Sequence, residues 1–209
     1  MKPEIGSVRL AVLVADGVSR LPFGNLVREV VAGGADMIQL REKNLPDSML
    51  LEHARICRDA ARDVLFIVND RPDIAVLANA DGVHVGQLDL PCSAARQIVG
   101  LGALVGVSVY TQDELAVAQS VGADYLGVGA VFETSTKDAP VSGLAFVRAA
   151  ARLAKVPLIA IGGIGRDNVS SVVASGVRAV AVFSAVIASA DPRAATRSLK
   201  DALLSASRP

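Results

Sequence analysis

Four segments of the chain repeat one junction, and that repetition limits the possible folds more than any other feature. AGGADMIQL at 32–40, ANADGVHVG at 78–86, SVGADYLGVG at 120–129 and SGVRAVAVF at 175–183 each end a helical pattern on small residues or glycine, turn, and begin a short apolar strand. The same reading along the whole chain predicts strands at 9–14, 37–41, 64–69, 82–86, 104–109, 125–129, 157–161 and 179–183. Helical patterning fills most of the gaps, at 24–31, 48–61, 72–77, 93–99, 111–121, 144–153, 168–174 and 192–205.

Strands that are apolar along most of their length and alternate with helices imply a parallel sheet covered by helices. Eight such units are the number that closes a barrel, so the expected fold is α/β, a single compact (β/α)8 TIM barrel over 1–209. The alternative is an open doubly wound sheet, but no GxGxxG follows the first strand.

Composition narrows the function classes. Twenty-one basic residues balance twenty-one acidic ones, which removes any global attraction to nucleic acid or an anionic membrane, so an anion site must be local. Although 52% of residues are apolar, the longest uncharged apolar stretch, 179–190, is far short of a membrane span. Lys2, Glu4 and Arg9 precede an apolar run at 10–15 that is too brief for a secretory signal, and a cytoplasmic location is expected. Cys57 and Cys92 have no metal-type spacing and are read as reduced structural residues. A homodimer is the expected assembly on base rate alone.

Active sites of parallel barrels gather at the C-terminal ends of the strands, and here those ends are strongly polar. In DMIQLREK, at 36–43, Gln39, Arg41 and Lys43 alternate and would share one face of an extended chain. Two cations at the barrel mouth are costly unless an anion completes them, which points to a polyanionic ligand. The competing reading pairs Arg41 with Glu42 or Asp70 in a structural network. Strand three delivers Asn69, Asp70 and Arg71, strand four leads to Gln87 and Asp89, and strand five ends in Ser108 and Tyr110.

Asp70 and Asp89 are the candidate ligands of Mg²⁺, which is typically held by one or two carboxylates together with substrate phosphate oxygens and water. Alternatively Asp70 caps a helix and Asp89 forms a turn. A second anion site is suggested by GGIG at 162–165 beside Phe183 and Ser184, unless that glycine pair is simply a tight turn. Thr134, Ser135, Thr136 and Lys137 fall on the loop between the two sites, where hydroxyls and an ammonium can grip phosphate. His53 lies in a helical pattern and His84 in a strand; neither has an obvious partner, and neither is expected to be catalytic.

QLREK at 39–43, NDR at 69–71, DGVHVGQLDLP at 81–91, GVSVYT at 106–111, GADYLGVGAVFETSTKDAP at 122–140, IAIGGI at 159–164 and VAVFSAV at 180–186 together resemble the thiamine phosphate synthase family. The resemblance implies a transferase that joins hydroxymethylpyrimidine diphosphate to thiazole phosphate, giving thiamine phosphate and pyrophosphate by a dissociative route. It implies that Gln39, Arg41, Lys43 and Asn69 hold the pyrimidine diphosphate and that Asp70 and Asp89 hold Mg²⁺. Ser108 and Lys137 would touch the diphosphate or the pyrimidine, with Arg41, Lys43, Ser108 and Lys137 carrying the catalytic contacts. Thr134, Ser135, Thr136, Gly163, Phe183 and Ser184 would seat the thiazole phosphate. The chain departs from the family's usual pattern at Ala11, Ala15, Tyr110 and Ala130. Two other readings compete. One is the related thiazole tautomerase, which wants a well-placed histidine base where Tyr110 stands; the other is a silent regulator that binds thiazole phosphate.

Overall fold

The computed structural model describes residues 3–134 and 141–207. Eight parallel strands, β1 (Leu10–Val14), β2 (Met37–Leu40), β3 (Leu65–Asn69), β4 (Gly82–Val85), β5 (Leu104–Val109), β6 (Tyr125–Val128), β7 (Leu158–Ile161) and β8 (Ala179–Val182), pair in chain order. The barrel closes through β8 against β1, with Ala11 opposite Ala181. The surrounding helices are α1 (Phe23–Ala32), α2 (Asp47–Ala60), α3 (Pro72–Leu77), α4 (Cys92–Val99), α5 (Gln112–Ser120), α6 (Gly143–Leu153), α7 (Val169–Val173), α8 (Ser184–Ile187) and α9 (Pro192–Ala206).

The expected barrel is therefore the observed one, with small shifts at element ends and one added turn of helix. Strands β2, β4, β6 and β8 each stop one residue early, so that Arg41, Gly86, Gly129 and Phe183 belong to loops at the mouth. The last unit also inserts α8, a single turn too short to leave a helical period in the sequence.

Strand side chains alternate between two cores. Leu10, Val12 and Val14 of β1 pack outward with the helix faces, for example Val27 and Val30 of α1. Ala11 and Leu13 point inward, where Met37, Leu65, Ile67, Tyr125 and Ile159 fill the barrel. This explains why the strands read as unbroken apolar runs: both faces are buried.

The repeated junctions have a mechanical role. Asp36 Oδ2 accepts from the backbone N–H groups of Arg9 (2.8 Å) and Leu10 (2.9 Å), Asp81 Oδ2 from Phe66 (2.8 Å), and Asp124 Oδ2 from Val105 (2.6 Å). Each aspartate thus ties the start of its own strand to the start of the preceding one. Their charges are met by Lys200, Arg58 and Arg96 in turn. These pairs stiffen the end opposite the polar strand termini. Both cysteines are free and buried, and among the described residues no helix is long and apolar enough to cross a membrane.

Candidate active site at the barrel mouth

A cavity of about 450 Å³ opens at the C-terminal ends of the strands and reaches down to Leu13, Met37 and Tyr125 inside the barrel. Of the residues expected there, Gln39, Arg41, Asn69, Ser108, Thr134, Gly163, Phe183 and Ser184 line it. Lys43, Asp70 and Asp89 are absent from the lining and form a cluster on the rim, while Ser135, Thr136 and Lys137 lie outside the described residues.

The rim cluster is built by three chain turns. Lys43, in the loop after β2, forms an ion pair with Asp70 just past the end of β3. Asp70 adopts a left-handed backbone, φ 63°, and its N–H donates to the His84 carbonyl of β4 at 2.8 Å. Asp89 turns back on its own loop, where Oδ2 accepts from the Gly86 N–H at 2.7 Å. A Cβ on Gly86 would lie 2.8 Å from that oxygen, so a side chain there would displace the carboxylate. Burial raises the Asp70 pKa above the usual aspartate range and the neighbouring Asp89 carboxyl adds to the rise, while Lys43 pulls it back down. Two adjacent carboxyls offer hard oxygen donors of the kind a divalent cation takes.

The other charged groups around the mouth are sorted differently from the sequence reading. Glu42 does not pair with Arg41: its Oε1 accepts from the Asp16 N–H at 2.7 Å and lies 3.3 Å from His53 Nδ1. His53 in turn stacks on Phe23, with ring centroids 4.2 Å apart. Arg71 is a strut outside the cavity, joined to Asp47 at 2.7 Å and to Asp73 at 2.7 Å. Arg41 alone of this group enters the cavity, and its guanidinium has no ion-pair partner among the described residues.

His84 also has partners, contrary to the sequence reading. Its Nε2 is 2.9 Å from Ser108 Oγ and its Nδ1 is 3.2 Å from Tyr125 OH. Parallel pairing sets His84, Gly106 and Tyr125 side by side on β4, β5 and β6. A Cβ on Gly106 would fall 2.2 Å from the Tyr125 ring and 2.5 Å from His84 Nδ1, so the missing side chain is what lets the two rings meet. Gly106 is flanked by Val105 and Val107 in the sequence, so only the register shows that it stands between the two rings.

The glycine-rich loop after β7 approaches the β6 loop closely. Gly162 and Gly163 have φ 108° and 62°, and a Cβ on either would strike Ala130 at 2.6 Å or the Glu133 carbonyl at 2.5 Å. Asn168 holds the next turn, accepting from the Gly165 N–H and donating to the Gly163 carbonyl, both at 2.9 Å. The Gly163 and Ile164 N–H groups have no acceptor among the described residues, and they share the cavity wall with Thr134 and Ser184. Such donors suit an anion.

Residues 11–186 match the family model described as thiamine monophosphate synthase. The chain belongs to that family. A thiamine-phosphate synthase of Moorella thermoacetica is 48% identical over 185 residues, covering 86% of this chain and 88% of the relative. That of Methanoculleus marisnigri is 46% identical over 186 residues, covering 87% and 88%. The solved structure of thiamine phosphate pyrophosphorylase from Pyrococcus furiosus superposes with a TM-score of 0.90 at 39% identity, covering 97% of this chain and 98% of that one. Membership of the thiamine monophosphate synthase family makes the protein a transferase with a (β/α)8 barrel, and it gives the polar mouth a chemical context.

Proposed function

We propose that the chain transfers the hydroxymethylpyrimidine group from its diphosphate to thiazole phosphate, releasing pyrophosphate and forming thiamine phosphate. The observation that carries this reading is a single cavity lined by Arg41 and by Gly163, Thr134 and Ser184, with the Lys43–Asp70–Asp89 cluster outside its lining on the rim.

Asp70 and Asp89 suit a hard divalent cation because they stand adjacent and offer only carboxylate oxygens. A cation such as Mg²⁺ takes one or two carboxylates and fills its remaining positions with water and substrate phosphate. When bound, Mg²⁺ supplies charge neutralisation to the diphosphate. The chain's own groups do the rest. Arg41 and Lys43 grip the diphosphate through charge-assisted hydrogen bonds. Gln39, only 5% exposed, and Asn69 offer amides that fix the pyrimidine.

As the carbon–oxygen bond to diphosphate breaks, its electron pair leaves with the diphosphate, and positive charge develops on the pyrimidine methylene. The thiazole nitrogen lone pair then forms the new carbon–nitrogen bond. This chemistry asks for stabilised departure and close placement of the two rings rather than a strong base. Ser135, Thr136 and Lys137 are assigned to the same two anions by resemblance. The substrates and the two free cysteines fit a cytoplasmic enzyme.

Thiazole tautomerisation would need a free general base. The one histidine lining the cavity has both ring nitrogens within reach of other side chains. The decisive experiment supplies purified protein with both substrates and Mg²⁺ and measures pyrophosphate. Isomerisation of a thiazole without pyrophosphate release would favour the tautomerase.

A further inference from the structure

Tyr125, His84 and Ser108 form a continuous hydrogen-bonded row from the barrel interior to the cavity. Its direction can be worked out from the buried end. Tyr125 is 1% exposed, and burial pushes its phenol pKa up, so the hydroxyl keeps its proton. Among the described residues His84 Nδ1 is the one hydrogen-bond partner of that hydroxyl. If Nδ1 carried a hydrogen, the Tyr125 O–H would be a buried donor without an acceptor. With Nδ1 accepting from Tyr125, the neutral ring carries its proton on Nε2 and donates it to Ser108 Oγ. Ser108 then has its own hydroxyl hydrogen left for the cavity. Its backbone is fixed as well, since Gln87 Nε2 donates to the Ser108 carbonyl at 2.7 Å.

We propose that His84, held in its Nε2–H tautomer by Tyr125, is a positioning residue that makes Ser108 an obligate hydrogen-bond donor toward the bound substrate. Ser108 is thereby committed to acceptor atoms such as diphosphate oxygens and set against ligand N–H or O–H groups at the same place. The space for this row comes from Gly106 and from Gly127, whose Cβ would lie 3.0 Å from His84 Cε1. The consequence for turnover rests on the transferase reading; the tautomer itself does not.

The test uses full-length protein labelled with ¹⁵N-histidine. The chain has 2 histidines, so a His53→Gln variant assigns both rings. Long-range ¹H–¹⁵N correlation at neutral pH, without substrate, should show His84 protonated on Nε2 and bare on Nδ1, with that preference lost in Tyr125→Phe. An Nδ1–H tautomer or a doubly protonated ring overturns the proposal. In kinetics, His84→Leu should lower kcat on the order of 10²-fold, as loss of one preorganised donor does. His84→Gln, whose amide can still donate to Ser108, should restore most of that loss. In a Ser108→Ala background His84→Leu should add nothing further, and an additive loss contradicts action through Ser108. Because the spectrum needs no substrate, a protein that releases no pyrophosphate would refute the reaction and leave the tautomer to be judged separately.

Discussion

Lys43 and Asp70 meet across the barrel rim, one from the loop after β2 and the other just past the end of β3. Residues 27 positions apart in the chain become neighbours because β2 and β3 pair in parallel, with Leu40 opposite Val68. The pair also stands beside the second carboxyl, Asp89, and the two adjacent carboxyls make the rim the cation site of the proposed reaction.

The carboxylates can be tested without disturbing the backbone. Asp70 has a left-handed φ of 63°, which asparagine tolerates and alanine does not, and Asp89→Asn keeps an oxygen for the Gly86 N–H. Asp70→Asn and Asp89→Asn should each lower Mg²⁺-dependent turnover on the order of 10²-fold while the circular dichroism spectrum is unchanged. Undiminished turnover in either variant removes that residue from the metal site.

Arg41 separates function from stability. Its guanidinium faces the cavity without an ion-pair partner among the described residues, so Arg41→Met should lower kcat/KM for the pyrimidine diphosphate by about 10²-fold or more. Thermal unfolding should shift by no more than about 0.5 kcal/mol, as for a substitution away from any packed or paired feature. A large stability loss would show that Arg41 is a structural strut.

The wall proposed for thiazole phosphate calls for a glycine that can accept a side chain. Gly163 is unsuitable because any Cβ meets the Glu133 carbonyl at 2.5 Å, whereas a Cβ on Gly165 meets nothing closer than Ala185 Cβ at 4.0 Å. Gly165→Asp should raise KM for thiazole phosphate about tenfold, equivalent to about 1.4 kcal/mol, and leave KM for the pyrimidine diphosphate nearly unchanged. Equal losses for both substrates would argue against separate anion regions.

Acid should compete with the cation. Burial and the neighbouring Asp89 raise the Asp70 pKa, so in metal-free protein the proton stabilises the fold at low pH. That stabilisation is complete below the ordinary aspartate pKa of about 3.9 and is lost as pH rises through the raised value. The rise in melting temperature produced by Mg²⁺ should therefore shrink as pH falls, beginning above the ordinary aspartate range. Asp70→Asn should flatten that dependence. A Mg²⁺ effect independent of pH down to about 4 would contradict shared occupancy of Asp70 by proton and cation.

Much of this architecture was legible in the sequence because the junction preceding a strand repeats. The aspartates of that repeat, Asp36, Asp81 and Asp124, were visible as a pattern, yet their grip on the preceding strand emerged only with the hydrogen bonds. Gln39 and Arg41 were readable from alternation, which survives one residue beyond the end of β2. Ser108 was readable as a strand end, but its link to His84 and Tyr125 was not, since strand register is a tertiary property and those two residues alone read as parts of apolar runs. Arg71 misled for a related reason: a charge near a strand end can turn outward to meet Asp47 and Asp73.

Pyrophosphate release by purified protein given hydroxymethylpyrimidine diphosphate, thiazole phosphate and Mg²⁺ tests the proposed reaction most directly. Pyrophosphate and thiamine phosphate should appear in equal amounts and only when both substrates and the cation are present. Release of inorganic phosphate instead, or no product with all three supplied, would contradict the transfer.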